Sequence, residues 1–321
     1  MNDDTSLPSR RTMGKQLIGM AAASVVVPPA LTQFAQAAPA PGAPPAVAPP
    51  AGRGRGAPGG PGGRGGAGGR GPAGPAGSVT FNTVLTKLKA GKQVFSNTIS
   101  EPDLDAAKKA CEGQDFIWIE MQHSTLTWRE SQNLIEVIAA AGVMPFLRVP
   151  YANEGDIQKA TDAGALGIIC PMIDSVEKAR DAVQFAKYPV GNLQNPNTKP
   201  WGRRSSGGNR ASTLWPSYAA NANNNIMVLI QIENPAGVGL IDTILDQVEG
   251  IDIVMVASND FGIQAGDRDG SPTYNAREEI VRKSVLAHGK YLAGPSSWQT
   301  RPGYTFFQGR KSATNTGYEA R

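Results

Sequence analysis

The architecture of the chain is written most plainly in MVLIQIENPAGVGLIDTILDQVEGIDIVMVASND, residues 227–260. It contains two apolar, β-branched runs, and each closes on a carboxylate: Glu233 after the first and Asp260 after the second. The carboxylates lie 27 positions apart, and the intervening PAGVGLIDTILDQVEG reads as a crossover helix with its turns. Two strands joined in this way run parallel and bring both carboxylates to the same, carboxyl-terminal edge of the sheet. That edge is where α/β enzymes place their chemistry, and two carboxylates converging there suit a hard divalent cation.

The same alternation extends over residues 78–321. Eight apolar runs (QVFSNTI, FIWIEM, MPFLRVP, ALGIICPM, IMVLIQIE, IDIVMVA, KYLAG and GYTFFQG) alternate with amphipathic segments. This predicts an α/β domain built as a (β/α)8 TIM barrel; an open doubly wound sheet is the competing arrangement. The open sheet would want a glycine-rich phosphate loop after the first strand, and NTISEPDLD has none. Helix punctuation agrees: Ser175 is placed to cap VEKARDAV, and Gly142, Gly164 and Gly289 fall just past helix ends. The C-terminal end of the barrel is expected to be short, with little room for a helix between KYLAG and GYTFFQG. One connection, Tyr188 to Asn225, is long and irregular; its Arg-Arg-Ser-Ser-Gly-Gly core is expected near the active site and its Asn-rich end as a plain surface loop.

Residues 1–37 carry a different pattern. SRRTMGK is followed by a short apolar run and then AQA, the order of an export signal of twin-arginine type, which predicts a periplasmic protein without a stable membrane anchor. Residues 38–77 are nearly all Ala, Pro, Gly and Arg and cannot bury a core, so a disordered linker is expected there. Glycine recurs at every third position from Gly56 to Gly77, which leaves a weak trimerising stalk as an alternative to a flexible tether. Residues 1–77 hold seven basic and two acidic residues of the chain's 31 and 27, which leaves 24 and 25 in the barrel. A domain of net charge −1 is not built to bind nucleic acid. The two cysteines, Cys111 and Cys170, show no metal-ligand spacing and read as buried free thiols.

A census of strand ends gathers the polar groups of one rim: Glu120, Gln122 and His123 from the second strand, Arg148 from the third, Gln231 and Glu233 from the fifth, and Ser258, Asn259 and Asp260 from the sixth. Such residues are costly to desolvate without partners, so their convergence suggests a site. Glu233 and Asp260 as ligands leave positions open for water and substrate, a pattern that suits Mg²⁺ or Mn²⁺, with Co²⁺ compatible. A 2-oxo acid is the matching small-molecule substrate, with Arg148 beside a developing enolate oxygen and His123 handling a proton. No lysine ends a strand in this set, which argues against Schiff-base chemistry. The structural alternatives make Glu233 and Asp260 cap or loop carboxylates, Arg148 a partner of Glu120, and His123 a rim histidine.

FIWIEMQHSTL, FLRVP, GIICPMIDSVEKARDAV, YPVG with WGRRSSGG, YAANANNNIMVLIQIEN and GIDIVMVASNDFG, in this order and spacing, resemble the HpcH/HpaI aldolases over about Val94 to Gly309. The resemblance implies a metal-dependent, class II pyruvate aldolase on a TIM barrel, commonly a homo-hexamer, that cleaves a 4-hydroxy-2-oxo acid to pyruvate and an aldehyde. It implies Glu233 and Asp260 as metal ligands, His123 with Glu120 as the acid/base group, Arg148 as the enolate-stabilising arginine, and Gln231, Ser258, Asn259 and Arg204 as substrate contacts. Glu120 stands where the family usually has Asp, Gln122 where it has Glu, and Ala257-Ser258-Asn259-Asp260 where it has Gly-Pro-Ala-Asp. A related lyase acting on another acid or acyl thioester, and a non-catalytic binder of small carboxylates, are the other functions weighed.

Overall fold

A computed structural model describes residues 79–189, 202–207 and 210–311. The expected export signal and the expected linker of residues 38–77 lie outside these residues, as does most of the Arg-Arg connection before residue 202. Of the two units into which the chain divides, Met1–Ala67 and Gly68–Arg321, the second carries all the described residues.

In chain order the elements are α1 (Thr83–Lys89), β1 (Val94–Ile99), α2 (Leu104–Ala110), β2 (Phe116–Glu120), α3 (Trp128–Ala140), β3 (Met144–Arg148), α4 (Glu154–Ala163), β4 (Gly167–Cys170) and α5 (Val176–Ala186). There follow α6 (Ala211–Leu214), α7 (Tyr218–Asn225), β5 (Met227–Ile232), α8 (Pro235–Gln247), β6 (Ile253–Val256), α9 (Ser258–Ile263), α10 (Pro272–Ala287), β7 (Tyr291–Pro295), a 3₁₀ turn (Ser296–Trp298) and β8 (Tyr304–Gln308). All eight strands pair in parallel, and β1 pairs with β8 to close the barrel. The expected (β/α)8 architecture is the observed one, and a single 3₁₀ turn replaces a helix between β7 and β8.

The barrel interior is filled in layers. Phe116, Phe146 and Phe306 from β2, β3 and β8 pack their rings together, with centroids 4.3–5.4 Å apart. Gly167 on β4 makes this layer fit, because a Cβ there would come within 1.8 Å of the Phe146 ring. Side chains alternate along a strand, so Trp118 and Glu120 share the face of Phe116, and Arg148 shares that of Phe146. The aromatic layer is therefore the floor beneath the polar rim.

The caps explain where the strands give way to helices. Asn234 accepts the N–H of Gly237 at 2.9 Å and Pro235 opens α8, so the chain turns immediately after Glu233. Ser175 caps α5 as expected, and Gly164 closes α4 in the left-handed conformation. Cys111 and Cys170 are free and buried, and burial pushes the Cys170 thiol up to about 12.

The expectation of a surface loop at the Asn-rich end of the long connection is corrected. Tyr218–Asn225 is a helix, and Asn221 and Asn225 are buried. Asn225 accepts the N–H groups of Phe81 (2.7 Å) and Asn82 (3.0 Å) and donates to the carbonyl of Val79 (2.8 Å). These amides serve as partners for the backbone entering α1, a use that their loop propensity conceals. Among the described residues, no helix is long and apolar enough to cross a membrane.

Candidate active site

The rim is organised around an ion pair set by strand register. Glu120 and Arg148 are ladder partners at the ends of β2 and β3, so their side chains leave the sheet side by side. Glu120 Oε2 accepts Arg148 Nε at 2.6 Å and Nη2 at 2.5 Å, and also the indole N–H of Trp118 at 3.1 Å. Glu120 Oε1 accepts the backbone N–H groups of Gln122 (2.8 Å) and His123 (3.0 Å). Five donors saturate this carboxylate. It joins His123 through that residue's backbone, not through its ring.

Arg148 Nη1 lies 3.5 Å from Gln231 Oε1, which carries the network across the barrel to β5. Gln231 is buried, and its amide rests against the sulfur of Met255 on β6 at 3.7 Å.

Glu233 is 1% exposed. Its Oε2 accepts the N–H of Met172 at 2.7 Å, while Oε1 is buried without a protein partner. Burial pushes the carboxyl up to about 7; the Met172 N–H opposes this, Asp260 raises it further, Arg148 lowers it and Glu120 raises it. Asp260, in the first turn of α9, is thus within electrostatic reach of Glu233. Met172 holds its N–H on Glu233 from a left-handed backbone, φ 56°, which is strained for a residue with a side chain.

The structure therefore brings Glu120, Arg148, Gln231, Glu233 and Asp260 together at the carboxyl ends of the strands. His123 is exposed at the mouth, where it lines a cavity of about 480 Å³ with Gln122, Tyr151, Met172 and Lys178. Ser258 and Asn259 open a second cavity, of about 590 Å³, between the start of α9 and the turn after β7.

Arg204 does not join this group, which corrects its expected place among the substrate contacts. Its side chain is fully buried, with Nη2 on Asp162 Oδ1 at 2.6 Å and Nη1 on the Tyr218 hydroxyl at 2.8 Å. Its N–H bonds the carbonyl of Lys187, which stands at the end of α5. The ends of α4 and α5 lead into the strand starts, so Arg204 sits at the opposite end of the barrel from Glu233. Trp118 and Met172 were missing from the census for different reasons. Trp118 precedes Glu120 by two residues on one strand face and was open to detection, whereas nothing in the sequence marks the Met172 backbone.

Among the described residues, no three His, Cys, Asp or Glu side chains converge as a ligand set. The donor set is two carboxylates, one with a buried oxygen lacking a partner, and this fits a hard cation that keeps water and substrate in its remaining positions.

A family model described as HpcH/HpaI aldolase/citrate lyase matches residues 98–301. The chain is 28% identical over 187 residues to 2-keto-3-deoxy-L-rhamnonate aldolase of Escherichia coli K12, covering 56% of this chain and 66% of that protein. It is 30% identical over 191 residues to 4-hydroxy-4-methyl-2-oxoglutarate aldolase cghB of Chaetomium globosum, covering 58% and 69%. It is 31% identical over 175 residues to hydroxypyruvate/pyruvate aldolase of Roseovarius nubinhibens, covering 53% and 64%. The chain thus spans about two thirds of the length of these relatives. Among solved structures, the HpcH/HpaI aldolase of Desulfitobacterium hafniense DCB-2 superposes with TM-score 0.62 at 26% identity, covering 72% of this chain and 91% of that one. Citrate synthase SbnG superposes with TM-score 0.60 at 27% identity, with the same coverage. Motif order, closed barrel and a model match over most of the barrel agree: the chain belongs to the HpcH/HpaI aldolase/citrate lyase family.

Proposed function

We propose that the protein is a divalent-metal-dependent carbon–carbon lyase that cleaves a 4-hydroxy-2-oxo acid to pyruvate and an aldehyde. One observation carries the reading. Glu233 is a buried carboxylate with one oxygen fixed by the Met172 N–H and the other without a protein partner, and Asp260 lies within electrostatic reach. The aldolase names of the relatives support the same class of reaction.

Glu233 and Asp260 would hold the cation, Mg²⁺ or Mn²⁺ by donor chemistry. When bound, it acts as a Lewis acid that draws electron density from the 2-oxo group. The chain's own groups do the rest. His123, at the open mouth, takes the proton of the C4 hydroxyl. The C3–C4 bond breaks, the aldehyde forms at C4, and the electron pair moves into C2–C3 with negative charge on the C2 oxygen. Arg148 supplies a fixed positive charge to that oxygen. Protonation of C3 then gives pyruvate. Glu120 anchors Arg148 and does not carry the proton, because both its oxygens are already occupied. Ser258 and Asn259 precede Asp260 in the first turn of α9 and set its position on the β6 side. The same groups run the reverse, bond-forming reaction.

Pyruvate release from a panel of 4-hydroxy-2-oxo acids, after metal stripping and readdition of Mg²⁺, Mn²⁺ or Co²⁺, tests this. Activity is expected only with metal, and Glu233→Ala or Asp260→Ala lowers kcat by on the order of 100-fold or more. Metal-independent release, or full activity in both variants, rejects the reading.

A further inference from the structure

Trp118 is fully buried on β2, two residues before Glu120 and on the same face. It meets the ion pair twice. Its indole N–H donates to Glu120 Oε2 at 3.1 Å, and its ring centroid lies 5.6 Å from the Arg148 guanidinium carbon. The other carboxylate oxygen is tied to the backbone at Gln122 and His123, so Glu120 cannot rotate without losing those bonds. With Nε and Nη2 committed to Glu120, Arg148 directs Nη1 alone toward Gln231.

This lock matters because a competing partner is close. Glu233, two residues after the Gln231 that Arg148 Nη1 faces, offers a buried oxygen without a partner, and the Arg148 charge acts on its carboxyl. A guanidinium released from Glu120 would be drawn to that oxygen, where it would displace a cation. We propose that Trp118 is a positioning residue that acts through Glu120 to hold Arg148 off Glu233, so that the Glu233 carboxylate stays open to a divalent cation. This rests on the reading of Glu233 as a cation-binding group.

The test uses the full chain and Mn²⁺ as the probe. Trp118→Phe keeps an aromatic ring on that strand face and removes the N–H donor together with part of the buried indole volume. Calorimetric titration is expected to show Mn²⁺ affinity weakened about tenfold, the loss of one hydrogen bond to a charged group. Glu120→Gln, which preserves core volume, is expected to weaken it similarly, and adding Trp118→Phe to it costs little more, since both changes break one chain of contacts. Unchanged Mn²⁺ affinity in Trp118→Phe, or fully additive losses in the double variant, overturns the proposal. Should Trp118→Phe fail to fold, unchanged affinity in Glu120→Gln overturns it alone. If the wild type binds no Mn²⁺, the cation reading of Glu233 fails instead. The lock is then decided by a metal-free crystal structure of Glu120→Gln: Arg148 on Glu233 supports it, and Arg148 retained at residue 120 refutes it.

Discussion

The carboxyl of Glu233 is held by one N–H and lies within reach of two other negative groups, Asp260 and Glu120, at 1% exposure. Burial is the main cause that pushes it from 4.5 to about 7. A carboxyl whose folded value lies above its unfolded one contributes stability below the unfolded value and loses it as pH rises through the folded one. The metal-free fold is therefore expected to lose on the order of 3 kcal/mol at Glu233 between about pH 4.5 and 7, at about 1.4 kcal/mol per pH unit. Denaturant unfolding in a chelator at pH 5 and pH 7.5 reads this directly. Wild type falls across the interval relative to Glu233→Gln, and saturating Mn²⁺ restores wild type at pH 7.5. Parallel profiles for the two chains would contradict it. The position of Glu233 at a strand end was legible in the sequence, since an apolar run that closes on a carboxylate marks the rim. Its open oxygen was not. That depends on Met172 in a left-handed backbone, which methionine rarely adopts and no local pattern announces.

At the scale of elements, α7 shows where sequence reasoning stops. Strand runs such as MVLIQI and the helix of α5 followed from period and caps, because burial on one face is written into the order of apolar residues. YAANANNN carries a weak apolar pattern and many loop-favouring residues, so its sequence predicts a surface loop. Its stability comes from tertiary bonds: Asn225 and Asn221 receive and donate to the backbone of residues 79–82, which lies more than 130 positions away in sequence. The missed helix α1 is attached by the same bonds, with Asn82 donating back to the carbonyl of Asn225 at 2.8 Å. Asn225→Ala removes the acceptor for two N–H groups and the donor for two carbonyls, those of Val79 and Asn221, in a buried setting. It is expected to cost about 2–4 kcal/mol in denaturant unfolding, from several unsatisfied backbone groups at about 1–3 kcal/mol each with partial relaxation. A loss below about 0.5 kcal/mol, the level of an exposed loop residue, would show that α7 is not a clamp.

Across the whole molecule, the barrel separates chemistry from stability by its two ends. The carboxyl end carries groups left short of protein partners, above all Glu233 Oε1, and unfilled bonding capacity is what a reacting site needs. The opposite end commits its buried arginine to structural partners, with only Arg204 Nε left without one. Arg204 reaches Asp162 and the Tyr218 hydroxyl, and its guanidinium stacks 4.3 Å from the ring centroid of Tyr188. Both ends use an arginine and an acid, so residue type alone does not tell them apart, and the motif around Arg204 points to the wrong end. What separates them is which ends of the elements the partners occupy: Glu120 and Arg148 terminate strands, whereas Asp162 lies in the last turn of α4. Arg204→Leu is therefore expected to cost about 2–4 kcal/mol in unfolding free energy, since it strands Asp162, partly rescued by its 35% exposure, and takes from the Tyr218 hydroxyl one of its two partners, leaving the Thr161 carbonyl. Below the variant's unfolding midpoint, kcat and KM for pyruvate release are expected to stay within about twofold of wild type, because the rim and its aromatic floor do not touch Arg204. Glu233→Ala is expected to do the reverse, lowering kcat by on the order of 100-fold or more without lowering the stability of the metal-free protein at pH 7.5. A tenfold rise in KM for Arg204→Leu at unchanged stability would return that arginine to the substrate site.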